Sequence, residues 1–93
     1  MTAVRIPPVL RPDVGGKREV DVDAVTVGEA LRKLVAEYPA LQGRILADGQ
    51  VPSFLSLFVD GQDVRLLDGL ETSLRPESAL LLLPAVAGGG TAG

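Results

Sequence analysis

Between Thr26 and Pro39 the chain carries its one segment with sustained helical periodicity, and both ends of that segment are marked. Thr26-Val27-Gly28-Glu29 has capping-box spacing, in which the Thr26 hydroxyl accepts from the Glu29 amide and the Glu29 side chain returns to the Thr26 amide. Val27, Ala30, Leu31, Leu34, Val35 and Tyr38 recur at helical intervals, while Glu29, Arg32, Lys33, Ala36 and Glu37 fall largely on the other side. Pro39 disfavours helical backbone at Tyr38, so the helix is expected to stop there, followed by a short turn through Leu41, Ile45 and Leu46. One apolar stripe must bury itself against something else. In a chain of 93 residues, which buries only about 60% of the surface it exposes when unfolded, every strong apolar segment has to share one core.

The remaining segments read as short strands. Val4 and Ile6 alternate with Arg5, and Pro7 and Pro8, lacking amide donors, end that pairing. Arg11-Pro12-Asp13-Val14-Gly15-Gly16 is rich in turn formers, and Lys17 to Asp23 then alternates charge with Val20 and Val22, as a hairpin arm with one wet face does. Asp48 to Ser53 reads as loop. Phe54 to Val59 is apolar apart from Ser56, and Asp60-Gly61 is a hairpin signal before Gln62 to Leu66. After Asp68-Gly69 and Arg75-Pro76, the run Ala79-Leu80-Leu81-Leu82-Leu83 is too short for most helices and is stopped by Pro84. It is expected to be a central strand, buried on much of both faces.

The order is strand, strand, helix, strand, strand, strand. A mixed sheet of about five strands with one helix packed across it satisfies that order, with the last strand free to lie parallel to the first. This is an α+β protein of β-grasp arrangement, with residues 1–84 as the domain and 85–93 as a flexible C-terminal tail.

Composition narrows the chemistry. With no His and no Cys, the usual zinc ligands, the neutral-pH proton shuttle and the thiolate nucleophile are missing, so most catalytic dyads and triads are excluded and no bound cofactor or metal is expected. Arg5, Arg11, Lys17, Arg18, Arg32, Lys33, Arg44, Arg65 and Arg75 are scattered among acidic residues at a net charge of −3, which is no nucleic-acid footprint. The N-terminus lacks the pattern of a signal peptide, and Ala79 to Leu83 is far too short to span a bilayer, so a cytoplasmic protein away from membranes is expected.

After Pro84 the composition changes abruptly: Ala85-Val86-Ala87-Gly88-Gly89-Gly90-Thr91-Ala92-Gly93 contains no charge and no side chain larger than valine. A Gly-rich chain end in isolation is most often a frayed terminus. Here it leaves directly from the expected central strand. Thr26-Val27-Gly28-Glu29-Ala30-Leu31, Phe58-Val59-Asp60-Gly61-Gln62-Asp63-Val64-Arg65 and above all Leu83-Pro84-Ala85-Val86-Ala87-Gly88-Gly89 resemble the prokaryotic ubiquitin-like sulfur carriers of the MoaD, ThiS and CysO types. Ile6-Pro7, Leu10-Arg11-Pro12 and Gly15-Gly16 bring the likeness nearest to the CysO type, the carrier of thiocarboxylate-dependent cysteine biosynthesis. It spans residues 3 to 89.

The resemblance implies a non-enzyme whose reactive group is its own C-terminal carboxylate. An E1-like adenylating enzyme of the MoeB/ThiF type would activate that carboxylate with ATP, and sulfur would then displace AMP to give a thiocarboxylate. Glycine suits such a tail because a backbone without Cβ passes through narrow channels. By the resemblance the thiocarboxylate sits on Gly89, and Pro84, Ala85, Val86, Ala87 and Gly88 form the arm that carries it. Relatives generally end at the diglycine, whereas Gly90 to Gly93 follow here; a metalloprotease is expected to trim them, with Gly90 an alternative new terminus. The acceptor expected from the CysO likeness is a cysteine-synthase-like enzyme that holds pyridoxal phosphate itself. Delivery to molybdopterin, thiamin or a secondary metabolite, or use as a ubiquitin-like protein modifier, are the alternatives.

A partner surface follows from alternation. If Leu57 and Val59 point inward, Phe58 points outward and Leu81 stands near it on the last strand. Relatives dock their enzymes on that sheet face, which makes Phe58 and Leu81 the expected partner-binding patch. Glu29, Lys33 and Glu37 read as a solvated ion-pair ladder, Asp60, Asp63 and Asp68 as turn formers, and Arg65 as a surface cation. At Arg75-Pro76-Glu77-Ser78, relatives usually have a Gly-Asp turn instead, a difference expected to alter local geometry more than function.

Overall fold

In the computed structural model, which describes residues 1–84, five strands and one α-helix form a β-grasp fold. β1 (Thr2–Arg5), β2 (Glu19–Val22), α1 (Val27–Glu37), β3 (Leu55–Val59), β4 (Gln62–Asp63) and β5 (Ala79–Pro84) follow one another in the chain. In the sheet they lie in the order β2-β1-β5-β3-β4. β5 occupies the centre, parallel to β1 and antiparallel to β3.

The helix begins where its cap demands. Thr26 is extended and its side chain accepts from the Glu29 amide at 3.2 Å. The return bond differs from expectation by one residue: the Glu29 carboxylate accepts from Val25 N, at 2.8 Å, not from Thr26. The reason is non-local, since the chain ahead of the helix is paired with the 72–74 segment, Val27 N donating to Thr72 O and Leu74 N to Val25 O. At the other end Tyr38 N still reaches Leu34 O at 2.7 Å before Pro39 opens a 3-10 turn over Pro39–Leu41.

Val27, Ala30, Leu31 and Leu34 from the helix meet Val4, Leu57, Leu80 and Leu82 from the sheet, all essentially without solvent contact. At about 1.5–3 kcal/mol for each large apolar side chain removed from water, this single layer contact is the main driving force for the fold.

Three expectations need correction. The turn-rich stretch after Pro7 is 3-10 helix over Pro8–Val14, which brings Leu10 and Val14 into the core and closes through Gly16 N to Arg11 O at 2.7 Å. Gln62 to Leu66 is strand only as far as Asp63: the Asp63 carboxylate accepts from Arg65 N at 2.8 Å and starts a 3-10 turn over Val64–Leu66, so Val64 is buried while Leu66 is 84% exposed. β5 is central but covered on one face only, because α1 packs on one side of the sheet; Leu80 and Leu82 are fully buried, whereas Leu83 is 43% exposed. Between β3 and β4, Asp60 and Gly61 both take positive φ, 50° and 89°, the two-residue turn that matches strand twist and that glycine adopts without a Cβ penalty. Asp60 also ties this turn to β5, its carboxylate accepting from Ala79 N at 2.9 Å.

Candidate functional site

The uncovered sheet face is built by alternation. Leu57 and Val59 point into the core, as expected, and send Ser56 and Phe58 outward; Leu80 and Leu82 do the same for Leu81 and Leu83. Register then brings residues from all five strands into one transverse row: Glu19 opposite Arg5, Arg5 beside Leu81, Leu81 opposite Phe58, and Phe58 opposite Asp63. Phe58 and Leu81 thus meet at the centre of the face, both half-buried, with charged residues to either side. One row nearer the end of β5, Leu83 faces Ser56, and Pro84 faces Leu55.

The β4 border is held by an ion pair. Arg65 donates from Nη2 to Asp63 Oδ2 at 2.7 Å and to Ser56 Oγ at 3.3 Å. The Arg65 side chain and its backbone N–H together hold the Asp63 carboxyl below its ordinary range, and Asp63 in turn raises Arg65. Arg65 is therefore an oriented cation at the edge of the patch, a role its sequence context did not reveal.

On the β1–β2 side lies an open cavity of about 570 Å³, lined by Arg5, Arg11, Arg18, Pro7, Leu81 and Leu83 among others. Arg11 is positioned by a bond from Nε to Ile6 O at 3.1 Å. These arginines, dispersed along the sequence, are neighbours because Ile6 N donates to Arg18 O where β1 and β2 pair, and Arg11 bonds back to the carbonyl of the same Ile6, next to Arg5.

Other side chains singled out in the sequence lie elsewhere. Glu29 and Lys33 pair at 3.8 Å on α1, and Lys33 also donates to Asp23 O. Asp68 N donates to Thr72 Oγ1, within the turn ahead of β5. At Arg75–Ser78 the chain turns tightly, Ser78 N to Arg75 O at 2.9 Å, and the buried Thr2 hydroxyl donates to Arg75 O, tying the N-terminus to this turn. Of the expected tail, Pro84 is the last residue of β5; Ala85, Val86, Ala87, Gly88, Gly89 and the segment Gly90 to Gly93 lie outside the described residues. Among the described residues no helix is long and apolar enough to cross a membrane.

Residues 4–89 match the ThiS family. The chain belongs to the ThiS family. Its relatives are small ubiquitin-like sulfur carriers and protein modifiers. The sulfur carrier protein CysO of Mycobacterium tuberculosis is 35% identical over 89 residues, 92% of this chain and 96% of that protein. Small archaeal modifier protein 3 of Haloferax volcanii is 46% identical over 70 residues, 75% of each chain. In structure, the BexX/CysO complex of Amycolatopsis orientalis contains a chain that superposes with a TM-score of 0.88 at 31% identity, covering 95% of this ThiS-family chain and 99% of that one.

Proposed function

We propose that this ThiS-family protein is a sulfur carrier for cysteine biosynthesis, in which residues 1–84 are the scaffold and 85–93 the reactive arm. The observation that carries the reading is the family match itself, which runs through the β-grasp body and ends at Gly89. The carboxylate that matters is then the one exposed at Gly89 after a metalloprotease removes Gly90 to Gly93. An E1-like enzyme joins it to AMP from ATP with loss of pyrophosphate, and a sulfur nucleophile then attacks the activated carbonyl and expels AMP, leaving a thiocarboxylate. The chain contributes no acid, base or cofactor of its own; its part is to hold the end of β5 on a docking face centred on Phe58 and Leu81. The CysO relatives support the carrier reading; a pyridoxal-phosphate-dependent, cysteine-synthase-like acceptor is what the resemblance to the CysO type implies.

Incubation with the adenylating enzyme, ATP and a sulfur source tests this directly. One oxygen-to-sulfur exchange located at Gly89 by fragment mass spectrometry is expected. Sulfur found at Gly93 of the intact chain would remove the trimming step, and the absence of any exchange would remove the carrier reading. A second reading, a protein modifier, is favoured by the 46% identity to a small archaeal modifier protein. In that case the same adenylate is captured by lysine amines, and Gly-Gly remnants appear on other proteins. A cysteine-synthase-like gene beside this one supports the cysteine route, and a large molybdopterin-synthase subunit would redirect it.

A further inference from the structure

The uncovered sheet face is graded in charge along its strands. Arg5, at the end of β1, and Leu83 and Pro84, at the end of β5, mark one end of the sheet, because the two strands are parallel. There Arg5, Arg11 and Arg18 share one cavity with Leu81 and Leu83, and Glu19 is the one carboxylate in its lining. Among the described residues none of the three arginines lies within ion-pair distance of a carboxylate, unlike Arg44, Arg65 and Arg75. At the far end of the same face stand Asp21, opposite Ala3, and Asp60, bonded to Ala79. A chain of net charge −3 therefore concentrates unpaired positive charge where its C-terminal arm departs.

We infer that this arginine cluster orients an enzyme partner whose arm-receiving channel is bordered by Asp and Glu side chains. The inference rests on the carrier reading and specifies the partner's chemistry. The apolar centre of the face, Phe58, Leu81 and Leu83, has no preferred rotation, because hydrophobic contact is non-directional. A charge gradient does have one. With the arginines against an acidic rim, the arm points into the channel; turned by half a revolution, Asp21 and Asp60 meet that rim and the complex is repelled. An open cleft lined by one sign of charge also focuses its field and speeds encounter with the opposite sign.

The test is ATP–pyrophosphate exchange by the adenylating enzyme of the same genome, run on the full chain and on the chain ending at Gly89. Arg5→Gln/Arg18→Gln removes two charges without setting like charges beside Glu19; Arg5→Glu/Arg18→Glu reverses them, and Arg32→Glu on α1 is the control for bulk charge. At about 50 mM salt the neutral pair is expected to raise the KM for the carrier about tenfold with kcat unchanged, the gap shrinking to about twofold near 500 mM as screening shortens the field's reach. The reversed pair is expected to lose more, and the control nothing. A neutral pair, folded by circular dichroism, with unchanged KM at low salt overturns the inference. So does a change confined to the KM for ATP, which would mark the cluster as a polyphosphate site, or a loss that persists in full at high salt. If the unmodified protein supports no exchange at either length, the carrier reading falls and takes this inference with it.

Discussion

Phe58 and Leu81 stand directly opposite each other on adjacent antiparallel strands, half-buried on the sheet face that α1 leaves uncovered. Their neighbours one position along, Leu57, Leu80 and Leu82, are sealed against the helix. The same alternation therefore supplies both the core and an apolar patch facing outward, three residues before Pro84 at the end of β5.

Because Phe58 is outside the core, Phe58→Asp is expected to keep its far-UV circular dichroism spectrum and to lose about 1 kcal/mol or less in stability. It should weaken association with the adenylating enzyme by about tenfold or more, as loss of a central anchor does. Adenylation kinetics identical to those of the unmodified protein would take the patch out of the docking step.

The one-sided burial of β5 is tested by neighbouring truncations. Leu82→Ala leaves a hole in a closed core and is expected to cost about 2–5 kcal/mol in urea unfolding. Leu83→Ala, made at a half-exposed position, should cost well under that, about 0.5–1 kcal/mol. Equal losses would mean that both faces of the strand are sealed.

Thr26→Ala removes the acceptor for the Glu29 amide and is expected to destabilise by about 0.5–2 kcal/mol, measured by chemical denaturation. Thr26→Ser retains the oxygen and should recover most of it.

Gly28 lies on the buried side of α1, where an added Cβ would sit 3.2 Å from the backbone oxygen of Leu70. A glycine inside a helix is ordinarily a site that larger residues improve. Here Gly28→Val is expected to destabilise by about 1–3 kcal/mol, because the helix must move off the Gly69–Glu71 turn. An unchanged midpoint would show that this contact yields freely.

The Asp63–Arg65 pair has a definite pH signature. Asp63 is held below its ordinary value of 3.8 first by the Arg65 side chain and then by the Arg65 backbone N–H. A carboxyl lowered in the folded state contributes stability that is fully present above the unfolded value and is lost as pH falls through the folded one. The difference in stability between the unmodified protein and Asp63→Asn should therefore be constant from neutral pH down to the ordinary carboxylate range and shrink below it. A difference that grew on acidification would reverse the assigned direction.

Much of this molecule was legible in its sequence where the signal is local. The Thr26 cap, the Pro39 stop and the Asp60-Gly61 turn are decided by residues within a few positions of one another, and the structure places each as expected. What escaped the sequence was settled by distant partners. The Glu29 carboxylate finds Val25 because the 72–74 segment pairs with the chain ahead of the helix. Strand β4 ends early because Asp63 and Arg65 close a turn that sends Val64 into the core. Arg5, Arg11 and Arg18 gather at one cavity only once β1 pairs with β2 and Arg11 bonds back to the Ile6 carbonyl.

By itself the sequence determined the order of five strands and one α-helix and the alternation that sends Phe58 and Leu81 to the same side, since side-chain period along a strand is a property of the local backbone. Only the tertiary structure decided that α1 covers one face and leaves the other open, and that the arginines converge where β5 ends. Those outcomes depend on strand order and on contacts between residues far apart in the chain, and no local periodicity encodes them.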